Sequence, residues 1–148
     1  MTTRLGDEYK VLLVEDSRDY QELFRIYARK AQLEIDIAST GKEALDYLRH
    51  NRVDGIILDY MLPDLTGLEI LQALKKRRSL RMNRQTFSVV ISAVEVPDRK
   101  LRELYLAGTR LFLPKSLGLR ELSMIAHSVC VGSRAMRKDV PAAEVKSA

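Results

Sequence analysis

Apolar and polar positions along this chain follow two rhythms. Short continuous apolar runs recur: Val11-Leu12-Leu13-Val14, Gly55-Ile56-Ile57-Leu58, Phe87-Ser88-Val89-Val90-Ile91 and Leu111-Phe112-Leu113. Runs of this kind, bounded by turn residues, predict strands buried on both faces. One further run, Leu33-Glu34-Ile35-Asp36-Ile37-Ala38, alternates strictly instead. It predicts a half-exposed strand near a sheet edge. The strands are thus expected near 10–15, 33–38, 54–59, 87–92 and 110–114.

Between them the period lengthens to that of a helix. Tyr20, Leu23, Phe24, Tyr27 and Ala31 form one stripe, with Ser17 as its N-cap. Ala44, Leu45 and Leu48 form a second after Thr40-Gly41, and Leu68, Leu71 and Leu74 a third, capped by Asp64 or Thr66. Leu101, Leu104 and Tyr105 form a fourth, begun by Pro97-Asp98 and stopped by Gly108. Leu119, Leu122, Ile125, Ala126 and Val129 form the last. Strands alternating with helices imply right-handed crossovers and a parallel sheet covered on both faces, an α/β fold in three layers.

The 148 residues correspond to about one domain. It is expected over 10–131, after an N-terminal extension over 1–9. Apolar periodicity fades from about Gly132, so 132–148 reads as a helix extension fraying into a disordered tail. No stretch is apolar for the roughly 18 residues that a membrane span needs. A single cysteine, Cys130, excludes an internal disulfide framework and fits a reducing, cytoplasmic setting; on the last helix's apolar side it reads as a buried structural thiol. His50 and His127 read as surface or helix-packing residues, with no His/Cys cluster to suggest zinc.

Charge adds one further feature. The net formal charge is +5, from 25 basic and 20 acidic residues. Much of the excess lies in Lys75, Lys76, Arg77, Arg78, Arg81 and Arg84, a stretch without an acid inside a long connection, 77–86. Such a stretch can bind nucleic acid or an acidic partner. No aromatic residue interleaves with it to stack on bases. The favoured reading is therefore a solvated helix end whose cations complement the helix dipole.

Chemistry enters at the strand ends. The first apolar run ends in Glu15-Asp16, the third strand in Asp59, the fourth in Ser92-Ala93, and the fifth in Pro114-Lys115-Ser116. In open α/β sheets the carboxyl edge is where ligands bind. If the strands are parallel neighbours, an acidic pair, a lone carboxylate, a hydroxyl and a lysine meet there. The carboxylates alone would repel one another, whereas a hard divalent cation such as Mg²⁺ would hold them.

These motifs resemble the receiver domain of bacterial two-component response regulators, over about Lys10 to Val131. The resemblance rests on Glu15-Asp16 after the first strand, Asp59-Tyr-Met-Leu-Pro63-Asp-Leu-Thr-Gly67 after the third, Ser92-Ala93 after the fourth and Lys115 after the fifth. It implies a flavodoxin-like doubly wound sheet, order 2-1-3-4-5. It further implies that Asp59 accepts a phosphoryl group from a histidine kinase or phosphotransfer protein. Glu15, Asp16, Asp59 and the backbone carbonyl of Met61 would hold Mg²⁺, and Lys115 would pair with Asp59 and then with the phosphoryl oxygens. Ser92 would turn inward as the switch hydroxyl, Ala93 would leave room for the phosphate, and Phe112 would occupy the aromatic switch position. The implied function is a phosphorylation-dependent signalling switch rather than an enzyme. Its output would be protein–protein interaction with a downstream target, and homodimerisation on phosphorylation is common in the family.

Two departures stand out. Glu15 replaces the family's commoner first Asp, keeping the carboxylate on a longer arm. The proline precedes Lys115 instead of following it, so the Lys115–Ser116 bond is either trans, or cis at a cost of about 2.5–4 kcal/mol. Competing readings each lack a feature. An aspartyl phosphatase would commonly carry an acid two residues after Asp59, where Met61 stands. A nucleotide or flavin binder would carry a Gly-rich loop after Val14, and none follows. The alternatives kept are a receiver fragment of a longer regulator and a nucleic-acid-binding module using residues 75–84.

Overall fold

The two central apolar runs lie in the middle of the sheet because both of their faces are covered. In the computed structural model, which describes residues 8–138, β1 spans Tyr9–Val14 and β3 spans Gly55–Asp59. Val11 to Val14 and Ile56 to Leu58 have almost no exposed surface. Burial of one such side chain contributes roughly 1.5–3 kcal/mol, which makes these strands the anchor of the fold.

Around them run α1 (Arg18–Lys30), β2 (Leu33–Ala38), α2 (Gly41–His50), α3 (Gly67–Lys76), β4 (Phe87–Ser92), α4 (Asp98–Leu106), β5 (Leu111–Pro114) and α5 (Leu119–Lys138). The sheet is parallel throughout, in the order β2-β1-β3-β4-β5. Side chains alternate between faces with period two. Leu12, Val14, Ile56, Leu58 and Val90 face α2, α3 and α4, while Val11, Leu13, Ile57, Val89 and Ile91 face α1 and α5. The register aligns Val14 with Leu58, Asp59 with Ile91 and Ser92 with Pro114. The chemistry-bearing residues therefore emerge side by side at one edge.

The helix starts follow capping chemistry. Ser17 Oγ accepts the Tyr20 N–H, and Thr40 Oγ1 accepts that of Glu43. Thr66 and Glu69 form a reciprocal capping box that starts α3. Asp64, the other cap expected for α3, instead accepts the N–H groups of Gly41 and Lys42 at 2.7 and 2.9 Å. It thus satisfies two orphan donors of a different helix. Gly67 begins α3 where a Cβ would stand 3.2 Å from the Asp59 carbonyl oxygen. Its missing side chain lets α3 start directly behind the phosphoacceptor candidate.

Two expectations need correction. β5 is not buried on both faces: it lies at the edge of the sheet, with Leu111 exposed and Phe112 and Leu113 only half-buried. The apolar stripe of α1 is rotated: Gln21, Phe24 and Ala28 are buried, and Leu23 is 49% exposed. Gln21 lies inside because its amide donates to the Glu15 carbonyl and to Ser39 Oγ, so a hydrogen-bonding need overrides hydropathy. The connection 77–86 contains a short element of its own. Arg78–Asn83 form a 3₁₀ turn with Leu80 and Asn83 buried. The Asn83 amide donates to the carbonyls of Leu48 and Asn51, both at 2.8 Å, and accepts the Val53 N–H at 2.9 Å. This one side chain replaces a hydrogen-bond ladder between α2, β3 and the turn.

Two residues of the basic stretch meet carbonyls at helix ends. Arg84 donates to the carbonyls of Leu74 and Arg77, and Lys75 to that of Leu106. His127 packs edge-on against Tyr9, and Cys130 is buried. The helix extension past 131 is present as far as Lys138. The remainder of the expected tail, and residues 1–7, lie outside the described residues.

Candidate phosphoacceptor site

Glu15, Asp16 and Asp59 each leave the carboxyl end of their strand with a carboxylate oxygen facing the others, all within 4.8 Å. Glu15 is fully buried, Asp59 is 5% exposed and Asp16 is exposed. Lys115, one residue past β5, reaches across the edge. Its Nζ donates to Glu15 Oε1 at 2.7 Å and to Asp59 Oδ2 at 3.0 Å. The Met61 N–H approaches the other Asp59 oxygen at 3.3 Å.

The electrostatics follow from crowding. Burial, then the neighbouring Asp59, raise the Glu15 carboxyl from its ordinary value to about 7, against the opposing pull of Lys115. Burial alone would lower the Lys115 ammonium. Its hydrogen bonds to Glu15 and Asp59 raise it instead, so it stays charged. Glu15 Oε2 is buried and has no hydrogen-bond partner among the described residues. An orphaned carboxylate oxygen beside two further carboxylates is a donor set with an unmet demand.

Ser92 ends β4, where the sequence places it. Its hydroxyl donates to the Val94 carbonyl at 2.8 Å and accepts the Val94 N–H at 3.1 Å. It is engaged by its own loop rather than by the acids. Ala93 is exposed beside it. Phe112 is half-buried against the core and donates its N–H to the Tyr105 hydroxyl at 3.2 Å. Ser92, Val94, Phe112 and Pro114 line one groove. All peptide bonds among the described residues are trans, Lys115–Ser116 included.

Sequence reasoning missed one neighbour. The Tyr20 ring centroid lies 5.1 Å from Lys115 Nζ. Tyr20 reads as a member of the α1 core stripe, and no sequence spacing links it to a residue 95 positions away, at 115.

Three strand ends, those of β1, β3 and β5, thus bring three acids and a lysine together at one edge of the sheet, and comparison with known proteins places this edge in a family. Residues 11–127 match the response regulator receiver domain. The chain belongs to that family, the phosphorylation switches of two-component systems. The response regulator MprA of Mycobacterium sp. (strain KMS) is 32% identical over 114 residues, 76% of this chain and 46% of that protein. The regulatory protein LuxO of Vibrio vulnificus (strain YJ016) is 41% identical over 63 residues, 43% of this chain and 14% of that protein. The chain therefore spans less than half the length of these relatives. Among solved structures, the receiver domain of Francisella response regulator 1452 superposes with a TM-score of 0.73 at 25% identity, covering 85% of this chain and 99% of that one. The receiver domain of a sensor histidine kinase from Pseudomonas aeruginosa PAO1, described with a magnesium ion in its active-site cleft, shares the fold at TM-score 0.71 and 21% identity, over 84% of this chain and 98% of its own. No helix among the described residues is long and apolar enough to cross a membrane.

Proposed function

We propose that Asp59 accepts a phosphoryl group from a phosphohistidine on a partner kinase or phosphotransfer protein, and that the phosphorylated form acts by binding a downstream protein. One constellation carries this reading: Asp59 at the sheet's carboxyl edge, held at 3.0 Å by Lys115 and flanked by Glu15 and Asp16. The acids fit a hard divalent cation, because three carboxylates converge and Glu15 Oε2 is buried without a partner. Glu15, Asp16, Asp59 and the Met61 carbonyl would hold Mg²⁺. When bound, it supplies positive charge to the phosphoryl oxygens.

The residues divide the work. An Asp59 oxygen attacks phosphorus, a P–O bond forms and the P–N bond to the imidazole breaks; the imidazole leaves with the bonding electron pair and takes up a proton. Lys115 exchanges part of its contact with Asp59 for the incoming phosphoryl oxygens. Ser92 must release Val94 to donate to the new dianion, a charge-assisted bond stronger than the one it gives up. That exchange frees space beside Phe112, and a partner that senses this face gains only its difference in affinity between the two states. Incubation with acetyl phosphate and Mg²⁺ tests the reading. One phosphoryl mass should appear on the wild type and none on Asp59→Asn; equal uptake by both would refute it.

A further inference from the structure

We propose that Tyr20 is a positioning residue of this site: its ring forms a cation–π wall that keeps the Lys115 ammonium over the acids. The proposal rests on the phosphoacceptor reading above and adds a residue to it.

Three observations carry it. Lys115 Nζ lies 5.1 Å from the Tyr20 ring centroid, inside the range in which an ammonium is attracted to an aromatic face. The backbone of Tyr20 is held in the first turn of α1 by its N–H bond to Ser17 Oγ, and its side chain packs against the core below. The residue packs against the core on the α1 side of the sheet and borders the site at the same time. Burial raises its phenol to about 12, and the charges of Lys115, Glu15 and Asp59 all act on it. Its hydroxyl is buried with no hydrogen-bond partner among the described residues.

Lysine needs such a wall here. Its ammonium is a point charge on a flexible stem with three rotatable donors. Two carboxylates hold it at rest, at 2.7 and 3.0 Å. Phosphorylation converts one of them, Asp59, into an acyl phosphate, and cation binding would draw on the other. Both carboxylate contacts are thus subject to change during the reaction, whereas the ring's attraction persists in every state. Tyr20 keeps the ammonium within reach of the phosphoryl oxygens while its carboxylate partners are occupied elsewhere.

The test uses the full chain, acetyl phosphate and Mg²⁺, with Tyr20→Leu against Tyr20→Phe. Tyr20→Leu should slow phosphorylation at saturating acetyl phosphate and Mg²⁺ by about three- to tenfold, with Mg²⁺ affinity within about twofold of wild type. Tyr20→Phe, which keeps the ring, should recover most of that rate. A second measurement needs no turnover: the Lys115 ε-methylene protons should show an upfield ring-current shift by NMR in wild type and Tyr20→Phe, lost in Tyr20→Leu. Equal slowing by Leu and Phe, or a Lys115 ε-methylene shift that is unchanged in Tyr20→Leu, would overturn the proposal. Failure of the wild type to take up a phosphoryl group would instead refute the phosphoacceptor reading, and the NMR comparison would still judge the Tyr20–Lys115 contact.

Discussion

Lys115 and Glu15 are 100 residues apart in the chain and 2.7 Å apart across the edge of the sheet. The contact uses Glu15 Oε1, carried on an arm one methylene longer than that of aspartate. It places the ammonium slightly nearer Glu15 than Asp59, at 2.7 against 3.0 Å. Lys115 therefore balances two buried acids at once.

Removing it leaves both acids without their cation. Lys115→Ala should lower stability at neutral pH by about 2 kcal/mol, less than for a fully buried pair because Lys115 keeps some solvent contact. Mg²⁺ should restore part of the loss, since a ligand that binds only the folded state stabilises it by mass action. Urea unfolding with and without Mg²⁺ measures both effects.

The raised Glu15 carboxyl predicts a pH dependence of opposite sign to that of an ordinary paired acid. Its folded value, about 7, lies above the ordinary 4.5. The unfolded chain therefore gives up this proton first as pH rises. The group's contribution to stability falls between about pH 4.5 and 7 and is level outside that window. In metal-free buffer, the stability of Glu15→Gln should gain on the wild type across that range. Parallel stability curves for the two proteins would contradict the assignment.

At the opposite end of the sheet, Asp54 is 5% exposed and binds three partners. Its carboxylate accepts the Lys10 N–H at 2.8 Å and both Arg134 and Arg137 of α5. Burial alone would raise its pKa, but these hydrogen bonds, Arg134 first, hold it below the usual carboxylate range. Its contribution is present above the unfolded value and lost as pH falls through the folded one. Asp54→Ala should cost about 3 kcal/mol, because two guanidinium groups and a backbone donor lose their acceptor. Exchange of the amides in the last turns of α5 should rise with it, measured by hydrogen–deuterium exchange.

Met61 and Val94 are each 57% exposed, beside Asp59 and Ser92 respectively. An acyl phosphate is lost to water arriving in line, and orienting that water is a large part of the rate. Neither side chain can hydrogen-bond a water. Met61→Asn and Val94→Glu should each speed loss of the phosphoryl group several-fold in Mg²⁺, measured as a first-order decay. Unchanged decay in both would mean that other groups control water access.

The sheet was readable from the sequence because its central strands are buried on both faces and so appear as unbroken apolar runs. The site was readable because the last residue of each run is where chemistry must sit. What was missed involves side chains acting far from their own element. Gln21 replaces an apolar residue because it serves the Glu15 carbonyl. Asp64 caps α2 rather than α3, and Asn83 hides inside a stretch whose charges dominate its appearance. The Asp54 clamp joins β3 to a helix extension 80 residues later, a relation that no periodicity records. Ser92 was placed correctly at its strand end, but its hydroxyl direction is a rotamer choice set by the Val94 backbone.

The central claim is that Asp59 itself carries the phosphoryl group. Borohydride reduction after treatment with acetyl phosphate and Mg²⁺ converts an acyl phosphate on an aspartate to homoserine, which peptide mass mapping locates. The account expects that change at position 59 alone, dependent on Mg²⁺ and diminished in Lys115→Ala. Reduction product at another aspartate, or at none while the intact protein still gains a phosphoryl mass, would contradict it.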